Sequence, residues 1–418
     1  MSSSEATLFQ AIIVGAGPAG IAAVGNLIDN GIGPICWVDE HFEGGRIHKH
    51  YREVPANLKV QGFVDFAASL ESFVAALSRA EPNVRRRGKD ESNLPSSGKF
   101  DAPCSITQDE DCALSYGADL CLALTQGLSG LSSVFTYKGR VDVAGINQPE
   151  GFWRIHLQDV GSASLDARSF IGRRLVLCTG SSPFSLPPPL DKAGPESLPL
   201  DTALSPSRLR TVLHGQSPLS ILVVGSSHSA VLVLKNLTEL ALSEGRQVRI
   251  RWVYCQDLRY AEWANGKYIA RDNSGLKGAT ATWAREHLGT GEPGCVTTER
   301  VIERVRIARR LDERELYHHC VGMDLIVQAL GFKADPLPVL RNEASGAVIR
   351  PQFIHDTGGF ANVADEPPTT IHGLYAAGIA FPALHWDEKY GEWEQAIGFP
   401  AFMRALKRWV PTWRPCPT

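Results

Sequence analysis

The feature that most constrains this chain is a short apolar run closed by spaced glycines, met within the first twenty residues and repeated in altered form near residue 225. Ala11-Ile12-Ile13-Val14 reads as a buried strand, and Gly15-Ala16-Gly17-Pro18-Ala19-Gly20 opens a helix running to about Asp29. A second strand, Ile35 to Asp39, completes a strand–turn–helix–strand unit of about 30 residues, the elementary piece of a parallel sheet. Each glycine answers a separate need. Gly15 permits the tight turn, Gly17 lets the backbone approach a pyrophosphate, and Gly20 lets the helix pack close to the strand. With Pro18 and Ala19 in its first turn, the helix N-terminus offers unpaired N–H groups and a positive dipole end to phosphates. Asp39 and Glu40 close the second strand, where a carboxylate accepts from ribose hydroxyls. The pattern predicts a dinucleotide site.

The same order recurs downstream. Ser220 to Val224 reads as a strand, Gly225-Ser226-Ser227-His228-Ser229-Ala230 as the turn, and a helix to about Ser243 leads to the strand Gln247 to Tyr254. The chain of 418 residues is comfortable for two domains. The expected fold class is therefore α/β, with two Rossmann-like dinucleotide-binding domains, the second inserted in the first. Residues 1–212 and 334–418 form the first, discontinuous domain and residues 213–333 the second. Val134–Val143 and Trp153–Asp159 read as a small antiparallel ribbon before Arg174–Cys178. Pro82–Gln108, with Arg85, Arg86, Arg87 and Lys89 among Pro, Ser and Gly, reads as a solvated insertion, and Pro187 to Pro206 as a rigid linker.

Composition removes other classes. The net charge of −3, from 42 basic and 45 acidic residues, argues against nucleic acid as a partner. No apolar run approaches the ~20 residues of a membrane span, and the short polar start leaves no room for a signal peptide. Nine cysteines contain no CxxC pair, so neither a zinc knuckle nor a redox dithiol is expected, and no metal site. No Ser–His–Asp, HExxH or paired-carboxylate signature points to hydrolysis. A soluble cytoplasmic protein is the expectation.

Further motifs carry a family likeness. Gly44-Gly45-Arg46, Tyr51, Val54-Pro55-Ala56-Asn57-Leu58-Lys59 and Phe63-Val64-Asp65-Phe66 follow the first unit. Together they resemble the flavin-containing monooxygenases, where a GG pair precedes a Tyr, an Asn-x-Lys segment and an F-x-D-F segment. Leu175 to Gly180 is similar to the strand ending in Thr-Gly that touches the flavin nucleotide in such proteins, and Gly373 to Gly378 resembles their C-terminal flavin motif. Ile379 stands where disulfide reductases carry an Asp. Gly225 to Ala230 resembles the nicotinamide motif of flavin monooxygenases and N-hydroxylases, with Ser227 in place of the middle glycine. Asp324 to Phe332 resembles the strand leading back to the flavin domain, and Glu392 to Ala396 is similar to an E-x-Q-A segment. A Phe-x-Gly-x-x-x-His signature is absent between Pro183 and Ser220, which disfavours a Baeyer–Villiger enzyme.

The resemblance implies FAD at the first site, held by Gly15, Gly17, Pro18, Ala19, Gly20, Asp39, Glu40, Gly45, Arg46, Thr179, Gly180 and Gly378. It implies NADPH at the second, with NADH possible, held by Gly225, Ser227, Ser229, Ala230 and Arg259. An arginine at 259 pairs with a 2′-phosphate, whereas Asp257 favours NAD. Asn57 would lie beside the flavin ring as the catalytic residue. The implied function is an FAD-dependent oxidoreductase, an NADPH- and O2-dependent monooxygenase that oxygenates a small molecule through a flavin hydroperoxide. An NAD(P)H reductase or dehydrogenase, a substrate-reduced oxidase and a regulatory FAD-binding protein remain alternatives. Phe381 to Trp386 either lines the substrate side of the flavin or packs the last helix. His228 and Lys277 read as a helix-start residue and a loop lysine, and Trp393, Trp409 and Trp413 as residues that close the domain.

Overall fold

The computed structural model describes residues 7–79, 111–147, 150–158, 168–187, 194–264, 267–289, 293–308 and 313–417. The segment Pro82–Gln108 lies outside the described residues.

Two sheets carry the architecture. The larger has seven strands, in the order Pro351–Ile354, Gly359–Asn362, Thr369–Ala376, Leu175–Leu177, Ala11–Val14, Ile35–Asp39 and Val134–Lys138. From Thr369–Ala376 onward its pairings are parallel. Ile12, Ile13, Ile35, Val38, Leu175 and Leu177 are fully buried, as expected for parallel strands covered on both faces. The helix Pro18–Asp29 starts with Pro at its first position, where the missing N–H costs no intrahelical bond. It packs against Glu71–Arg79 and Phe399–Trp409 to close the core on one side.

The second sheet is wholly parallel, in the order Glu196–Ser197, Leu325–Gln328, Leu219–Val224, Val248–Tyr254 and Ile302–Arg306. It has its own apolar core beneath the helix His228–Ser243. The chain enters and leaves this region along two antiparallel strands, Ser181–Pro183 and Phe332–Ala334.

Three details depart from the sequence reading. Val134–Val143 is two strands, not one. Val134–Lys138 joins the large sheet, and Arg140–Asn147 pairs antiparallel with Phe152–Gln158 in a separate five-stranded sheet. Gly139 makes the break: its φ is +151°, and a Cβ there would sit 2.6 Å from the Gln158 carbonyl oxygen. Residues 188–193 of the expected linker lie outside the described residues, but the part after them is structured. Glu196–Ser197 adds the edge strand of the second sheet, and Ser205 caps the helix Pro206–Val212. Finally, Trp409 and Trp413 are buried in the first core, whereas Trp393 is 65% exposed on a hairpin of Ala383–Asp387 and Glu392–Ala396. Among the described residues no single helix is long and apolar enough to cross a membrane.

Candidate cofactor cleft

The first glycine turn opens into a cavity of about 1490 Å³. Its wall brings together Gly15, Gly17, Pro18, Asp39, Glu40, Gly45, Arg46, Asn57, Thr179 and Gly180 from widely separated parts of the chain. Gly15 takes φ +110°, and a Cβ on it would lie 2.2 Å from the Cys178 carbonyl oxygen. Gly20 is equally constrained, since its Cβ would meet the Gly15 oxygen at 2.0 Å. Gly17 differs. The nearest atom to its Cβ position is 3.9 Å away, so its backbone faces open cavity. Ala19 and Gly20 lie behind this surface, and Gly378 backs onto them, with a Cβ position 2.8 Å from the Ala19 methyl.

Gly45 explains the Gly-Gly pair in physical terms. It takes φ +76°, and any side chain would collide with the Gly17 Cα at 2.7 Å. Gly45 thus packs against the first glycine turn, while Gly44 packs against Cys121 and Leu122.

Asp39 is already heavily engaged. One carboxylate oxygen accepts the Ala16 N–H at 2.7 Å, and the other accepts those of His41 at 2.8 Å and Phe42 at 2.7 Å. A carboxylate offers about four lone-pair sites, so about one remains for a ribose hydroxyl. Glu40 is exposed beside it.

Arg46 reaches across to the segment before the second sheet. It donates to Asp201 at 2.5 Å, and Tyr51 donates to the other Asp201 oxygen at 2.7 Å. Burial lowers the pKa of Arg46, but the Tyr51 and Asp201 contacts raise it on balance. Burial, aided by Asp201, pushes the Tyr51 hydroxyl well above its ordinary value. Sequence reasoning did not find Asp201 or this network, because the partners are 155 and 150 residues apart.

Three polar atoms of the wall are left over. Thr179 Oγ1, Ser181 Oγ and Arg46 Nε are buried without a hydrogen-bond partner among the described residues. Buried polar groups are nearly always satisfied, so these mark where a polar ligand belongs. The open Gly17 backbone, the glycine cradle and the orphaned Thr179 hydroxyl fit the pyrophosphate and flavin portions of a dinucleotide.

Asn57 also stands in the cavity wall, on the strand Pro55–Lys59, with an exposed side chain that makes no hydrogen bond among the described residues. Lys59 holds its ammonium 4.7 Å from the Trp263 ring centroid. Ala383, Leu384 and His385 of the C-terminal hairpin also line the cavity, so the stretch after Gly373–Gly378 does reach it.

The second glycine turn is built like the first but lies outside this wall. Gly225 takes φ +128°, and its Cβ would meet the Ala329 carbonyl oxygen at 2.3 Å, as Gly15 meets Cys178. Ser227 caps the helix His228–Ser243 in an extended conformation, Ser229 follows in the first turn, and Ala230 is fully buried in the place of the third glycine. His228 contacts the Thr280 hydroxyl at 3.2 Å. Burial, helped by nearby Lys277, pushes its pKa down to about 4, so the imidazole is neutral near pH 7. Lys277 pairs with Asp272 and lines the cavity. Arg259 is exposed, with its guanidinium 3.9 Å from Glu392, and Asp257 pairs with Arg306 at 3.0 Å.

No protein-family model matches the chain. Its sequence is 38% identical over 404 residues to the monooxygenase AgnR1 of Paecilomyces divaricatus, an alignment spanning 96% of this chain and 97% of that protein. The chain belongs to that monooxygenase family. The fold of this monooxygenase is shared with solved flavoprotein structures at low identity. The cadaverine monooxygenase DfoA of Erwinia amylovora, solved bound to FAD, aligns with TM-score 0.57 at 12% identity over 96% of this chain and 92% of that one. Cyclohexanone monooxygenase from Rhodococcus, solved bound to NADP+, gives 0.52 at 12% over 98% and 84%. Bacillithiol disulfide reductase from Bacillus cereus gives 0.52 at 13% over 97% and 98%. The α/β architecture with two Rossmann-type units is thus the one these proteins share.

Proposed function

We propose that this protein is an FAD-dependent monooxygenase that draws electrons from NADPH and oxygenates a small molecule with O2. The observation that carries this reading is the one cavity whose wall brings together the open Gly17 backbone, the orphaned Thr179 hydroxyl and Asn57. Residues 1–212 and 334–418 then form the flavin unit and 213–333 the nicotinamide unit, with Glu196–Ser197 lent to the second sheet.

In this reading Gly15, Gly17 and the N-terminus of the helix Pro18–Asp29 receive the pyrophosphate, with Gly20, Ala19 and Gly378 setting their close packing. Asp39 and Glu40 hold the ribose, Gly45 and Arg46 support the loop, and Thr179 and Gly180 meet the flavin portion. When bound, FAD supplies hydride acceptance from the nicotinamide and the activation of O2. The protein supplies position and shelter. Asn57 presents an unpaired amide, donor and acceptor together, to the cavity, and Leu58, Leu384 and Ile397 add apolar surface to the same wall. Gly225, Ser227, Ser229 and Ala230 receive the NADPH pyrophosphate, and Arg259 its 2′-phosphate.

The test is NADPH oxidation and O2 uptake by the FAD-loaded protein against a panel of amines, sulfides and ketones. The expected result is stimulation by one class, with isotopically labelled oxygen from O2 in the product. NADPH oxidation that reduces an added acceptor without incorporating oxygen would favour a reductase and refute the proposal.

A further inference from the structure

The two glycine turns share one device that their motifs do not contain. In the first unit the indole Nε1 of Trp37 donates to the Gly15 carbonyl at 2.9 Å. In the second, Trp252 Nε1 donates to the Gly225 carbonyl at 2.7 Å. Each tryptophan lies on the strand following its turn, buried at 0% and 2% exposure. The next residue on that strand accepts the glycine N–H in both units, Val38 from Gly15 at 2.8 Å and Val253 from Gly225 at 3.0 Å. The third strand also corresponds, since Cys178 and Ala329 crowd the two glycines in the same way, and two residues on, Gly180 and Gly331 are both at positive φ.

The units part at the following position. Asp39, two residues after Trp37, accepts the Ala16 N–H, so both ends of the Gly15–Ala16 peptide are held by side chains of one strand. Two residues after Trp252 stands Tyr254, which stacks on Trp252 at 4.3 Å and offers no carboxylate to Ser226. The Gly225–Ser226 peptide is therefore held by a side chain at its carbonyl end alone, among the described residues.

We propose that Trp37 and Trp252 are the positioning residues of the two nucleotide loops. Each fixes the peptide plane from which the phosphate-facing N–H groups follow, and the added Asp39 grip makes the first loop the stiffer. This rests on the functional reading above in assigning a nucleotide to each loop. It goes beyond that reading in explaining one loop as the seat of a retained cofactor and the other as the seat of one that exchanges. Fixing a loop in its binding geometry raises affinity by reducing what must be ordered on binding.

Trp37→Phe and Trp252→Phe remove the N–H and keep an aromatic ring. Loss of one such hydrogen bond corresponds to about fivefold, or about 1 kcal/mol. Trp37→Phe is expected to raise the FAD dissociation constant about fivefold and leave the KM for NADPH unchanged at saturating FAD. Trp252→Phe is expected to raise that KM about fivefold, with kcat and FAD affinity retained. Phe42→Leu and Tyr254→Leu, which remove the rings packed on Trp37 and Trp252 but keep the indole bonds, should leave both constants within about twofold. Amide hydrogen exchange in the FAD-free protein reads the loops without any ligand. It should quicken over residues 12–20 in Trp37→Phe and over residues 221–230 in Trp252→Phe, and in wild type the second stretch should exchange faster.

Unchanged exchange and unchanged constants in both folded variants overturn the proposal, as does an equal effect of each variant on both nucleotides. Loop-specific exchange together with a wild-type protein that takes up no FAD would keep the clamp and refute the functional reading. Should either Phe variant fail to fold, site-specific benzothienylalanine, which keeps the bicyclic shape and lacks the N–H, replaces it in the same assays.

Discussion

Glu394 lies at 5% exposure on the C-terminal hairpin, and its carboxylate reaches across to the loop before the helix Gly278–Leu288. It accepts the Ser274 hydroxyl at 2.5 Å and the Asn273 N–H at 3.2 Å. Asp387 on the same hairpin accepts the Arg271 N–H at 2.7 Å, and the Arg271 guanidinium lies 3.7 Å from the Tyr390 ring centroid. Asp272, Asn273 and Lys277 of that loop stand in the cavity wall. The hairpin therefore ties the loop 271–277 to the C-terminal part of the chain, which in the proposed division holds the nicotinamide unit against the flavin unit. Glu394→Ala removes two hydrogen bonds to a buried charge, each worth about 1.5–3 kcal/mol. Water entering the vacated space re-satisfies the loop donors, which brings the net loss to about 2 kcal/mol, or about thirtyfold in the docking equilibrium constant. The assay is rapid mixing of FAD-loaded protein with NADPH without oxygen, following loss of the visible flavin absorbance. Flavin reduction should slow by about tenfold to thirtyfold while FAD content stays at the wild-type level, and Glu394→Gln, which keeps one acceptor oxygen, should fall between. A reduction rate within about twofold of wild type in a folded Glu394→Ala protein would refute the reasoning.

Other outcomes follow from single residues. Gly17→Ala places a methyl in open cavity, so the FAD-free protein should melt within about 2 °C of wild type while FAD binding is lost, a contrast read by calorimetry and flavin absorbance. Gly20→Ala places its methyl 2.0 Å from the Gly15 oxygen, so it should lower the melting temperature even without FAD. Asn57→Ala removes an exposed, unbonded amide and should change stability by no more than about 0.5 kcal/mol, while product formed per NADPH consumed drops. His228 has its folded pKa depressed to about 4, so the unfolded chain binds the extra proton between its ordinary value of 6.5 and about 4. Stability should therefore fall as pH drops through that window, and His228→Asn should flatten this part of a melting-versus-pH curve.

The parts of the fold legible in the sequence are those where burial is apolar and local. Ala11–Val14 and Leu219–Val224 are short apolar runs followed by glycine turns, Ile35–Asp39 is an apolar run closed by a carboxylate, and all three lie in the structure where the pattern puts them. The hairpin Ala383–Asp387 and Glu392–Ala396 inverts the usual rule. Its carboxylates Asp387 and Glu394 are buried, while Trp386 and Trp393 are 43% and 65% exposed. No hydrophobic pattern reveals such an element, because its burial is paid for by hydrogen bonds to a loop more than a hundred residues away. The same holds for Arg46, whose partners Tyr51 and Asp201 meet only in three dimensions. Trp37 and Trp252 were visible only as apolar strand residues, since nothing in one strand states that an indole N–H will find a glycine carbonyl in the neighbouring turn.

The most direct test of the central claim is an anaerobic titration of the FAD-loaded protein with NADPH, followed by admission of O2. The account predicts that about one NADPH bleaches one flavin, and that the flavin absorbance returns only when oxygen enters. A bound flavin that neither NADPH nor NADH reduces would contradict it, because the second glycine turn would then serve no nicotinamide.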